Sequence, residues 1–404
     1  MSRLARLIAP GALLLLAAVA AQAHTSDRVF STWTADQAGV TASVRVPAHL
    51  AARFGPGGGP ALARHFLRTL QLSRGTAECE SAPAPRARVT AQNATIVELA
   101  WRCPTPGPGT AAEKLSLKVD SLFARFPGHV HFARLHVPGG RLEEHILTRG
   151  SRRLTVEPDA GTTSERSWAG AMFEYTGLGI RHILAGADHL AFVIALMLAA
   201  PGLRALLFII TGFTLGHSLT LALAATGAAT PVPAAIEALI GFTVAIAAVE
   251  GAGRLSGRAL SAIAVTLPLA GLAIAAALFG SALPAITWAG LLLFTASYMA
   301  LARRRQGWRW AAALAAAFGL VHGFGFAGVL QEIGLPGERL IPALLGFNLG
   351  VELGQIAVVA LALGVAEAAR RLTPEGIRGW AAHGLAAALC GLGTFWFVSR
   401  AFAG

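Results

Sequence analysis

Polar and apolar positions change rhythm once along this chain. Up to about residue 165 they alternate in short stretches such as "VTASVRV", "ATIVELAW", "KLSLKV" and "HVHFARLHV". Turn signals such as "FGPGGGP" and "CPTPGPG" separate these stretches, as expected for short β-strands. "ALARHFLRTL" is the one segment there with helical spacing. The pattern predicts an exported, all-β, sandwich-like domain over residues 24–165, closed by a linker, "DAGTTSERS" (159–167). From about residue 169 eight apolar runs near bilayer length take over, with cores at about 182–200, 203–226, 232–250, 259–280, 283–302, 308–331, 340–367 and 379–400. Residues 166–404 are therefore expected to form an all-α polytopic membrane domain of about eight transmembrane helices.

Charge orients this picture. Residues 1–23 read as a signal peptide, with Arg3 and Arg6, the apolar "LIAPGALLLLAAVA" and the cleavage site Ala21-Gln22-Ala23, leaving His24 first in the mature chain. Alternate inter-span loops carry Arg204; Arg254 and Arg258; Arg303, Arg304, Arg305 and Arg309; and Arg370, Arg371 and Arg378. The opposite loops "ATGAATPVP" and "GSALPA" carry none, and "QEIGLPGER" carries only Arg339. This asymmetry predicts a multi-pass protein of the inner (cytoplasmic) membrane with the β domain on the periplasmic side. The net charge of +12 does not point to nucleic acid, because the arginines sit in these loops and no basic helix interleaved with aromatics is present. Charged residues make up 13% of the chain, against roughly a quarter in soluble proteins, so the expected surroundings are a lipid bilayer. In an oxidising compartment Cys79 and Cys103 are expected to form a disulfide, while Cys390 lies alone in a late apolar run.

A repeat lies inside the apolar half. Residues 213–242 align without a gap on 318–347, at an offset of 105. Phe213, His217, Pro231 and Phe242 fall on Phe318, His322, Pro336 and Phe347. Both copies start on the cytoplasmic side, which makes the internal repeat parallel, about an axis along the membrane normal.

Ionisable residues inside spans are costly and mark functional candidates. Here they are His182, Asp188, His189, His217, Glu237, His322, Glu352 and Glu250, with Asn348 and Gln355 as neutral companions. Helix rise puts His217 and His322 about 21 Å from the inner ends of their spans, and Asn348 and Glu352 about 12 and 18 Å from the outer end of theirs. His189 falls about 10 Å below the outer end of the first span. Residues of four spans thus reach similar depth in the outer half of the membrane. His182 and His189, seven apart, share a helix face; Asp188 points elsewhere unless Gly186 breaks the helix. Imidazole, carboxylate and amide oxygen form a ligand set for borderline divalent metals such as nickel, cobalt or zinc. The plainer alternative is that these groups are interhelical hydrogen-bonding glue.

"LGIRHILAGADHLAF", "FTLGHSLTLALA", "IEALIGF", "FGLVHGFGFAGVL" and "LLGFNLGVELGQ" resemble the membrane motifs of the HupE/UreJ family, in particular its branch with an exported N-terminal domain. The resemblance covers about residues 170–360. It implies a nickel or cobalt permease, metalloenzyme maturation proteins as partners, and His182, Asp188, His189, His217, His322 and Glu352 as the residues of the motif. One position departs. Related nickel permeases carry His-x4-Asp-His, whereas His182 and Asp188-His189 are separated by five residues.

Three functions remain open. The first is a permease for a divalent metal, with the ion as substrate, no permanently bound cofactor, and His182, Asp188, His189, His217, His322, Asn348 and Glu352 along its path; Glu237 is a weaker candidate. No G-x-x-x-x-G-K-[ST] loop is present for ATP hydrolysis. The second is an intramembrane hydrolase with Ser218 as nucleophile, which His217, about 100° away on the same helix, cannot serve as base, and which His322 reaches only if the repeats pack face to face. The third is copper handling on the exported side, through the His24 amine and ring and through His129 and His131 on one strand face, with His136 on the other.

Overall fold

The structure, a computed structural model, describes residues 28–35, 39–55, 59–82, 85–90, 94–104, 114–120, 122–123, 129–136, 142–148, 150–156, 168–257, 262–302, 307–326, 337–372 and 374–402. The signal peptide, His24 and the 159–167 linker lie outside them. The described residues fall into two compact units, one within Thr25–Arg166 and one within Ser167–Gly404.

The first unit is strand-rich. β1 (Arg28–Ala35), β2 (Gly39–Pro47), β5 (Glu80–Ser81), β6 (Arg86–Val89), β7 (Ala94–Arg102), β9 (Val130–His136) and β10 (Leu142–Leu147) form one sheet, in the order β10-β9-β1-β2-β7-β5 with β6 also on β7. β3 (Leu70–Arg74), β4 (Ala77–Glu78), β8 (Leu115–Val119) and β11 (Arg153–Val156) form a second, in the order β11-β8-β3-β4. Only β1 and β9 pair in parallel; the other described pairings are antiparallel. In β2 the valines and Ala42 are buried while Thr41 and Ser43 are exposed, as a one-sided strand requires. Trp33, Val44 and Val97 of the first sheet and Leu70, Leu72 and Leu117 of the second belong to one hydrophobic core. The short α1 (Ala48–Ala52) and α2 (Gly59–Thr69) accompany it; α2, the predicted helix, buries Leu62, Ala63 and Phe66. Cys79 and Cys103 are disulfide-bonded. Cys79 stands where the chain passes from β4 to β5, hence from one sheet to the other, so the bond ties that crossing to the end of β7. Closing a loop of 24 residues stabilises the fold by about 3 kcal/mol.

The second unit is helical: α3 (Trp168–Ala185), α4 (Ala187–Ala199), α5 (Leu203–Ala225), α6 (Pro233–Ser256), α7 (Ala262–Phe279), α8 (Ala285–Ala302), α9 (Trp308–Gly325), α10 (Gly337–Leu372) and α11 (Glu375–Ala401). The segments Leu203–Ala225, Pro233–Ser256, Leu340–Ala368 and Ile377–Ala401 are long and apolar enough to cross a membrane, or five spans if α3 and α4, bent by 76° at Gly186, count as one. The eight runs of the sequence therefore translate into fewer clear spans among the described residues. In α7 and α8 the apolar segments Ile263–Phe279 and Ala285–Leu301 are each at most 17 residues, about 26 Å, short of a hydrocarbon core of roughly 30 Å. Gly257 and Gly280, with left-handed φ values of 65° and 88°, follow the last residues of α6 and α7.

The first span also differs from expectation. The run at 182–200 is two helices, and the first of them begins at Trp168. Glu174 and Arg181 masked α3 from a hydropathy reading, and the seven-residue spacing of His182 and His189 is not a continuous helix face.

Candidate functional site

Glycines bring the helices of the second unit into backbone contact. On α5, a Cβ at Gly216 would lie 2.0 Å from Ala316 O, and one at Gly212 2.5 Å from Ala312 O. On α9, a Cβ at Gly319 would lie 2.1 Å from Phe213 O, and one at Gly323 2.3 Å from His217 O. Each helix thus offers a pair of glycines four apart, the spacing that lets helices approach closely in a bilayer. α3 meets α10 in the same way, through Gly179 against Phe347 O and Gly350 against Thr176 O. The consequence is a narrow central layer in which side chains of α3, α4, α5 and α9 meet.

Four histidines fill that layer. The rings of His182 and His189 are 4.4 Å apart, His182 and His217 6.2 Å, and His189 and His322 5.3 Å, centroid to centroid. His189, His217, His322 and Asp188 are buried. The break at Gly186 makes this possible. A side chain there would collide with His189 Nδ1 at 2.6 Å, so the glycine leaves room for that ring to fold back toward His182. The break also turns Asp188 into the cluster, in the first turn of α4. Its Oδ1 accepts from the His189 backbone N–H at 2.8 Å and lies 2.9 Å from His189 Nδ1. The N-terminal end of α4 favours that negative charge, and the carbonyl end of α3, where His182 lies, favours a cation.

The neighbouring helices complete the ring of contacts. His217 Nδ1 stands 3.1 Å from Asn348 Oδ1 on α10, and His322 Nε2 stands 2.8 Å from Thr243 Oγ1 on α6. From Asn348 a polar seam continues between α5 and α10. Thr214 Oγ1 lies 3.2 Å from Ile210 O and 3.3 Å from Gln355 Oε1, sharing one hydrogen between them, and Thr211 donates to Glu352 Oε1 at 2.7 Å. Phe192, Phe213, Phe326 and Phe347 wall the histidines, with Phe192 and His322 4.8 Å apart and His182 and Phe326 4.9 Å apart. Apolar walls keep the local dielectric low and strengthen any charge interaction made inside. Among the described residues, no three His, Cys, Asp or Glu side chains stand placed as a ready-made metal cage.

Several expected residues are elsewhere. Glu237 is exposed, 3.9 Å from Arg400 on α11, whose guanidinium also donates to the Glu237 carbonyl at 2.8 Å. It lies near the start of α6, too far along the helix to join Thr243 in the cluster. Glu250, toward the other end of α6, accepts from Tyr298 of α8 and lies 3.3 Å from Arg254. Ser218 donates to Thr214 O at 2.6 Å, which commits its hydroxyl to its own helix. Thr243 was missed because its hydroxyl carries no charge and ranks as apolar filler in a hydropathy pattern.

The histidine candidates of the first unit lie partly in its core. His129 and His131 do share a side, but it is the core side of β9: both are buried, 6.0 Å apart, with His129 on Phe123 and only His136 exposed. His131 Nε2 pairs with Ser31 Oγ at 2.7 Å, and Trp33 donates to the same Ser31 at 2.7 Å. Burial, followed by the neighbouring His129, pushes the His131 imidazole down to about 3 from 6.5. The unfolded chain then takes up a proton at His131 below about 6.5 that the folded one refuses until about 3. The stability this group contributes is full above 6.5 and is lost as pH falls toward 3. Hydrogen-exchange protection of β1 and β9, taken relative to the intrinsic rate at each pH, should fall across that window, and more shallowly in His131→Gln.

Residues 159–295 and 286–400 match the model of the HupE / UreJ protein family, more than half of the chain. The chain belongs to the HupE / UreJ family. The comparison with curated proteins returns no match. As a HupE / UreJ protein the chain is a multi-pass membrane protein of a transporter-type family associated with nickel and cobalt transport. The histidine layer lies wholly within the matched residues.

Proposed function

We propose that this HupE / UreJ protein is a permease for a divalent transition-metal ion, nickel or cobalt, and that the histidine layer is its path. The observation that carries the reading is the convergence of His182, His189, His217 and His322 from four helices around the buried Asp188. Buried imidazoles beside one carboxylate attract a borderline divalent cation more readily than a hard alkali ion. The seam of Gln355 and Glu352 along α5 offers oxygen ligands for the next stage, with Glu352 as a carboxylate able to take up a proton.

The same reading assigns the protein to the inner membrane, with the exported domain over residues 24–165 on the periplasmic side, eight crossings and a parallel repeat. Support for the repeat comes from the cross-pairs: His217 with Asn348, and His322 with Thr243. The two histidines differ by 105, as do Thr243 and Asn348, so each repeat's histidine meets the equivalent position of the other repeat. Support for the crossings comes from the arginine-rich alternate loops. Cysteines introduced at Arg304 and Thr230 should be labelled from opposite faces; labelling from the same face refutes the topology. Maturation proteins for nickel enzymes are the partners this reading implies.

Transport is tested with purified protein in liposomes. Nickel or cobalt should enter faster than zinc or copper(II), and protein-free liposomes should show neither. Equal leakage of all four ions with and without protein overturns the permease reading.

A further inference from the structure

Two of the histidines are held by side chains whose own hydrogens are already committed. Asn348 Nδ2 donates to Leu344 O at 2.8 Å, one turn back on α10. This fixes the amide so that Oδ1 is the atom facing His217 Nδ1 at 3.1 Å. An amide oxygen only accepts, so the His217 proton sits on Nδ1 and its lone pair on Nε2. That Nε2 is buried and has no hydrogen-bond partner among the described residues.

Thr243 acts on His322 in the opposite sense. Its hydroxyl lies 2.7 Å from Ile240 O and 2.8 Å from His322 Nε2, with one hydrogen to give. If that hydrogen went to Nε2, His322 would carry an N–H on Nδ1, which is buried and has no partner among the described residues. An orphaned buried N–H costs about 1–3 kcal/mol and is rarer than an under-used acceptor. The hydrogen therefore goes to Ile240 O, Thr243 accepts from Nε2–H, and Nδ1 of His322 carries the lone pair. Equivalent positions of the two repeats thus set opposite tautomers.

We propose that Asn348 and Thr243 are positioning residues that hold His217 and His322 as opposite neutral tautomers, presenting Nε2 of the first and Nδ1 of the second as bare nitrogen donors to a divalent cation of borderline softness. The donor role rests on the reading of this layer as the metal path; the tautomer lock does not. Asn348 changes place in this account: it orients a ligand instead of being one. Partners that fix the tautomer of a ligating histidine typically change metal affinity or activity by about 10–100-fold.

The test is nitrogen NMR of isotope-labelled histidine in the full chain, held in lipid nanodiscs, with nickel(II) uptake measured in parallel. His217→Gln and His322→Gln assign the two resonances. The parent should show the proton on Nδ1 at His217 and on Nε2 at His322. Asn348→Leu should mix the tautomers at His217 only, Thr243→Val at His322 only, and Thr243→Ser should restore the parent pattern. Both disrupting variants should raise KM for nickel(II) about tenfold while largely sparing the maximal rate. Like protons on both rings in the parent, or tautomers unmoved by Asn348→Leu and Thr243→Val, overturn the lock. A parent with the two tautomers in place that carries no nickel(II) overturns the donor role and the path reading, and leaves the lock standing.

Discussion

Nickel uptake is expected to fall to background when His217 or His322 is replaced by alanine, with protein levels in the membrane unchanged. The two effects separate because they draw on interactions of different size. Each histidine makes one hydrogen bond across helices, to Asn348 or to Thr243, and such bonds contribute about 0.6–2 kcal/mol in a bilayer. The close packing of α5 on α9 is made by glycine and backbone, which the substitutions leave in place. Transport has no such reserve. Removing one imidazole leaves an ion in an apolar layer of phenylalanines with one donor fewer, and desolvation of a divalent ion is not offset by those walls. Uptake of radioactive nickel in cells matched for membrane protein is the measurement. Parent-like uptake by both variants would reduce the histidines to helix-packing glue.

The second large effect is expected from a single methyl group. Gly216→Ala places a Cβ 2.0 Å from Ala316 O, and Gly319→Ala one 2.1 Å from Phe213 O, where ordinary contact needs roughly 3.4 Å or more. Neither obstacle is a flexible side chain, so α5 and α9 have to move apart. Overpacking of this kind costs about 1–3 kcal/mol, and here it would also pull His217 away from the other rings. Gly364→Ala on α10 is the control, because a Cβ there meets nothing within 4 Å. Thermal unfolding in detergent should show a clear loss for Gly216→Ala and Gly319→Ala and none for Gly364→Ala. Equal stability of all three would mean that the helices are not in backbone contact.

Much of the architecture was legible along the chain because it depends on local periodicity. The alternation of β2 and the amphipathic spacing of α2 arise from neighbouring residues. The paired cysteines were recognisable from their shared segment. The two repeat histidines stood out because phenylalanine, proline and histidine matched in one ungapped frame. That frame stopped at Phe242 and Phe347, one position short of Thr243 and Asn348. Identity ends there, although both side chains accept a hydrogen bond from the opposite histidine.

What the sequence determined by itself was chemical character: which stretches are apolar, which residues are ionisable within them, and which family motifs they carry. Tertiary structure decided which of these groups meet. A lone glycine at 186 is silent in a hydropathy count, yet the chain bends by 76° there, and the absence of a Cβ leaves room for the His189 ring to turn toward His182. Glu237 and Glu250 look like equals of Glu352 in sequence. Only packing pairs the first with Arg400, ties the second to Tyr298 and joins the third to the seam on α5. His129 and His131 read as a pair on one strand face, and only the packing of the first unit shows that both are buried. The physical reason is common to all of them. Helical and strand periodicity specify a face, whereas the partner of that face depends on how closely two backbones approach, which here is set by glycines far apart along the chain.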